Sequence, residues 1–93
     1  MEVCVDNLES VINANEGGAS RIELCSSLAE GGLTPSLGFF KMAKKVSKIP
    51  IHVILRPRGG DFYYSDLEIE TMAQDAEIFA NAGAQGLVIG QFG

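Results

Sequence analysis

Hydrophobic positions along the chain follow two alternating periods. Short β-branched runs at residues 2–5, 21–25, 51–55 and 86–90 place apolar side chains two apart, as strands do. Between them lie longer segments with apolar residues three and four apart, as on one face of a helix. The first helix is expected to open at Asp6, with Glu9 completing a capping box, to bury Leu8, Val11 and Ile12, and to stop at Gly17-Gly18. Thr34 followed by Pro35 predicts the start of a second helix whose apolar face is Leu37, Phe40, Ala43 and Val46. Ser65 and Glu68 form another capping-box pattern ahead of the longest helix, with Ile69, Met72, Ala73, Ala76, Phe79 and Ala80 on one face and Gly83 at its end.

Strand and helix in strict alternation predict an α/β fold with right-handed crossovers and a parallel sheet. Gly18-Ala19 and Gly83-Ala84, each just ahead of an apolar strand, fit a repeated βα unit. Parity within the strands selects between two closures of such a sheet. A doubly wound sheet is covered on both faces and its strands are apolar throughout. Here Val3, Val5, Ile22, Leu24, Ile51, Val53 and Leu55 share one parity, whereas Glu2, Cys4, Arg21, Glu23, Cys25, His52, Ile54 and Arg56 share the other. One greasy face under helices and one face studded with charge and sulfur suit a partial TIM (β/α)8 barrel, comprising the first three βα units plus a fourth strand. A closed barrel takes eight units and about 250 residues. The 93 residues are therefore expected to be the truncated N-terminal part of one barrel domain, spanning 1–93. A small, complete four-stranded α/β domain is the alternative.

Composition narrows the function classes. Hydrophobic residues make up 46% and charged residues 20%, with only three prolines, which excludes a disordered chain. A net charge of −5 offers no positive field for nucleic acid or an acidic membrane surface. No apolar run approaches the ~20 residues of a membrane span, and the first residues lack the layout of a signal peptide. Two cysteines make no disulfide framework, so a reducing cytoplasm is expected. Neither G-x-G-x-x-G nor G-x-x-x-x-G-K occurs, so no nucleotide cofactor is expected.

Candidate chemistry then falls on the polar parity. Cys4 and Cys25 lie on sequential strands about 4.8 Å apart and share the inward face. Two soft thiolates suit Cu(I) better than Mg2+ or Ca2+. The competing reading, and the commoner situation for free cysteines, is that both are buried and serve as small hydrophobes. Asp6, Glu23, Arg56, Arg58 and Asp61 lie at or near strand C-terminal ends, where parallel α/β folds build their sites. Arg56 and Arg58 would hold a carboxylate or phosphate while Glu23 orients an arginine or moves a proton; an ion-pair network is the competing reading. His52, the single histidine, makes no histidine-based metal site by itself, and Phe62, Tyr63 and Tyr64 form either a lid or packing across the sheet end.

Four motifs taken together resemble the CutC copper homeostasis family: Glu2-Val-Cys-Val-Asp6, Gly18-Ala-Ser-Arg-Ile-Glu-Leu-Cys25, Glu30-Gly-Gly-Leu-Thr-Pro-Ser36 and Arg56-Pro-Arg-Gly-Gly-Asp-Phe-Tyr-Tyr-Ser65. The resemblance covers nearly the whole chain. It implies a TIM barrel in the cytoplasm, or also the nucleus in a eukaryote, that is a homo-oligomer at full length and handles copper, with Cu(I) on the residues matching Cys4 and Cys25. It brings no settled catalytic activity. The family's later His-Arg-Ala-Phe-Asp stretch and terminal glycine-rich segment have no counterpart here. Two functional readings follow. One is Cu(I) handling through Cys4 and Cys25. The other is an enzyme acting on a small anionic metabolite through Glu23, Arg56 and Arg58.

Overall fold

A computed structural model describes residues 1–89. The elements run β1 (Glu2–Val5), α1 (Leu8–Glu16), β2 (Arg21–Leu24), a short 3-10 turn (Leu28–Glu30), α2 (Leu37–Val46), β3 (Ile51–Leu55), α3 (Asp66–Asn81) and β4 (Gly86–Ile89). Gly90, the expected last residue of the fourth strand, lies outside the described residues. The strands form one sheet in the order β1-β2-β3-β4, every pairing parallel.

A single core decides the architecture. Val5, Ile22, Leu24, Ile51, Val53 and Leu55 from the strands are buried together with Val11 and Ala14 of α1, Phe40 and Ala43 of α2, and Phe79 of α3. All three helices thus cover the same face of the sheet, as in a barrel wall and unlike a doubly wound sheet. Phe40 meets Phe79 edge to face, with centroids 5.4 Å apart, and ties α2 to α3 over that core. The opposite face carries the charged and sulfur-bearing parity.

Two helix starts differ from the sequence expectation, each for the same physical reason. Asn7, not Asp6, caps α1: it is extended, and its side chain accepts from Ser10 N at 2.8 Å. The Asp6 carboxylate is instead engaged across the sheet end, accepting from the Leu28 amide at 3.3 Å. Likewise Ser36 caps α2, while Thr34 Oγ1 accepts from the Arg56 amide at 2.8 Å and donates to its carbonyl at 3.1 Å. A long-range partner took each predicted capping side chain, and the next competent residue became the cap. The third expectation holds: Ser65 and Glu68 form a reciprocal capping box at α3. Ile12 and Val46, expected in buried stripes, are exposed, as are Ile69, Ala73 and Ala80 on the expected apolar face of α3, and Ala14 takes the buried place in α1.

Candidate functional site

Strand register lines up one row of side chains across the face away from the helices: Cys4 opposite Glu23, Glu23 opposite His52, and His52 opposite Gly86. Gly86 is needed there because a Cβ would stand 2.5 Å from the His52 ring, whose imidazole lies across β4. Within this row the Cys4 thiol donates to Glu23 Oε2 at 3.7 Å. Glu23 is only 4% exposed, and its other oxygen accepts from Arg21 Nη2 at 3.5 Å, with Glu2 as the second partner of that guanidinium. A buried carboxylate thus has a cation and a thiol as its partners, which offsets the cost of its desolvation.

Cys25 follows β2 directly and sits one layer nearer the strand C-terminal ends. Its amide donates to the Val5 carbonyl at 3.0 Å, its thiol reaches the same oxygen at 3.6 Å, and it is 0% exposed. Cys4 is in register with Glu23, so Cys25 lies one strand across and two residues along. That offset sets the two Cα atoms about 8 Å apart. Both thiols are free, and the spacing exceeds what a disulfide tolerates without backbone movement. Burial pushes the Cys4 thiol up, with the negative charge of Glu23 adding to it. Cys25 is pushed up to about 11, first by burial and then by the charge of Asp6. A metal held here must displace protons from both sulfurs. Among the described residues no group of three or more His, Cys, Asp and Glu side chains is arranged to hold a metal ion, so the two sulfurs are the soft donors this face offers.

Each of the three residues expected to bind an anion is held by groups of the chain itself, with Glu23 in the strand row and Arg56 and Arg58 side by side on the loop after β3. Glu23 is partnered by Cys4 and Arg21. Arg56, 4% exposed, donates from Nη1 to the carbonyls of Glu30 at 2.6 Å and Gly32 at 3.5 Å, and from Nη2 to that of Gly60 at 3.3 Å. Arg58 is held by Glu68, with Nε to Oε2 at 2.5 Å, and by Asp61, and it donates to the carbonyls of Gly59, Asp61 and Tyr63. These partners hold its guanidinium above its usual range, the Glu68 hydrogen bond most of all. Each guanidinium also faces an aromatic ring, Arg56 over Phe62 and Arg58 over Tyr64, and the two rings meet edge to face. Of the three aromatics for which a lid or packing across the sheet end was expected, Tyr63 stands out in solvent and Phe62 is half exposed, while Tyr64 turns its hydroxyl into a buried place with no hydrogen-bond partner among the described residues.

For several contributors the partner had no signature in the sequence pattern. Gly86 makes room for His52, Asp6 anchors the turn at Leu28, and Gly32 lies against Cys25. A glycine before an apolar strand and an Asp at a strand end were visible, but which side chain each serves depends on register.

A family model described as the CutC family matches residues 1–93. A protein named "Copper homeostasis protein cutC homolog" from Homo sapiens is 58% identical over 90 residues, covering 97% of this chain and 33% of that protein. A family protein CutC from Vibrio vulnificus (strain CMCP6) is 60% identical over 90 residues and is covered over 36% of its length. The chain thus spans about a third of the length of these relatives. The crystal structure of the putative copper homeostasis protein CutC from Streptococcus agalactiae superposes with a TM-score of 0.88 at 38% identity, covering 98% of this chain and 45% of that one.

Proposed function

The chain belongs to the CutC family, and from that premise we propose that it is the N-terminal part of a single barrel domain that handles Cu(I) in the cytosol through Cys4 and Cys25, as a homo-oligomer at full length. The relatives' name, copper homeostasis protein, supports the cargo. One observation of this chain supports the residues: both sulfurs lie on the helix-free face of adjacent strands, with the buried Glu23 carboxylate in register with Cys4. Soft sulfur favours Cu(I), which displaces the thiol protons as it binds. The reading as an enzyme on a small anionic metabolite draws no support from Arg56 and Arg58, whose guanidinium groups are already occupied by carbonyls and by Glu68.

Anaerobic titration with Cu(I) against a competing chelator tests this. Each of Cys4→Ser and Cys25→Ser is expected to weaken binding at least about tenfold, and the affinity of the unsubstituted chain is expected to rise with pH because thiol protons are released. Unchanged affinity in the doubly substituted chain would overturn the proposal.

A further inference from the structure

We propose that Arg56 is a positioning residue: its guanidinium latches the segment following β2 over Cys25 and thereby sets the access of solvent and solutes to that thiol. The segment is a small lid. Ser26 and Leu33 close its base by exchanging amide-to-carbonyl hydrogen bonds of 2.8 Å in each direction, and the turn Leu28–Glu30 forms its tip. Three residues in the left-handed region, Ser27, Gly31 and Gly32, bend it back onto the sheet. It lands on the polar face, where a Cβ added to Gly32 would meet the Cys25 Sγ at 3.5 Å and Ile54 Cδ1 at 3.6 Å.

The lid closes on few groups of its own. Asp6 accepts from the Leu28 amide at the β1 side. On the β3 side Arg56 supplies the hold, donating to the Glu30 carbonyl at 2.6 Å and the Gly32 carbonyl at 3.5 Å. The same guanidinium donates to the Gly60 carbonyl, so the loops after β2 and β3 are joined through one buried cation. The backbone of Arg56 is fixed in turn by Thr34, just past the lid. Gly31 approaches so closely that a Cβ there would lie 3.0 Å from Nη1 and would press on the latch.

This deepens the copper reading, since it names what must move before cargo reaches Cys25, but thiol access can be measured without any metal. The experiment is competitive labelling of the chain with N-ethylmaleimide, both cysteine peptides being quantified by mass spectrometry. In the unsubstituted chain Cys25 is expected to react far more slowly than Cys4. In Arg56→Ala the Cys25 rate is expected to rise at least about tenfold while Cys4 changes little, and millimolar methylguanidine, which refills the vacated place, is expected to slow Cys25 again. Arg56→Lys keeps the charge but cannot span the carbonyls, so it is expected to show the same selective rise and serves if the Ala variant does not fold. An unchanged Cys25 rate in both variants, or equal acceleration of both cysteines in Arg56→Lys, would overturn the latch. Failure of copper binding with selective Cys25 protection intact would overturn the cargo and leave the latch standing.

Discussion

Cys25 carries a stability consequence that follows from its surroundings. The thiol is buried, close to the carboxylates of Asp6 and Glu23, and all of these oppose the thiolate. A group whose proton is held more tightly in the folded state stabilises the fold at any pH below its unfolded value, here near 9, and loses that contribution as pH rises through its folded value near 11. Measured by urea unfolding, the chain is expected to lose roughly 2 kcal/mol relative to Cys25→Ala between about pH 9 and 11, whereas the difference between the two stays flat from about pH 6 to 8. A constant difference up to pH 11 would show that Cys25 titrates as in an open chain. The same reluctance to ionise separates Cys25 from redox-sensing cysteines, which are exposed and readily form thiolates.

At the scale of elements, α3 shows how a local signal survives when the other partner, here Arg58 on Glu68, binds the box without displacing either capping bond. The Ser65 side chain accepts from the Glu68 amide at 3.2 Å, and Glu68 Oε1 accepts from the Ser65 amide at 2.8 Å. The Ser65 amide is the first cause that holds the Glu68 carboxyl below its usual range, and Arg58 is the second. Ser65→Ala is expected to cost about 1 kcal/mol, which for a domain this size lowers the melting temperature by about 4–8 °C in a circular dichroism melt. A shift below a degree would mean that α3 docks through Phe79, Met72 and Ala76 without help from its start. The contrast with α1 and α2 explains what the sequence made legible. Period and parity name the elements, their order and the two faces of the sheet, because those depend on residues near each other in the chain. Asp6 and Thr34 misled because their partners, the Leu28 amide and the Arg56 backbone, lie 22 residues away. For the site, the inward parity of Cys4, Glu23 and Cys25 was readable, whereas the use of Arg56 and Arg58 as loop staples was not, since the carbonyls they hold exist as a target only once the loops have folded.

On the scale of the whole molecule, the sheet has two sides that no described residue covers. β1 pairs only with β2, and β4 only with β3. Along β1 runs a mostly apolar groove of about 330 Å³ lined by Met1, Val3, Val5 and Ala14 among others. On β4 the residues of the helix-facing parity, Leu87 and Ile89, are open, with Ile89 70% exposed. An unpaired edge with apolar side chains beside it is a template for association, and natural sheets block such edges with charge. Within a longer barrel such surfaces meet further strands and helices; for the 93 residues alone they are open to other copies. Gel filtration with light scattering is therefore expected to give a mass that grows with concentration, and Ile89→Lys, which places a charge beside the edge without touching the core, is expected to shift the distribution toward monomer. A single monomeric peak across a hundredfold concentration range in the unsubstituted chain would mean that these edges do not drive association, and that this half-wall stands as a unit in its own right.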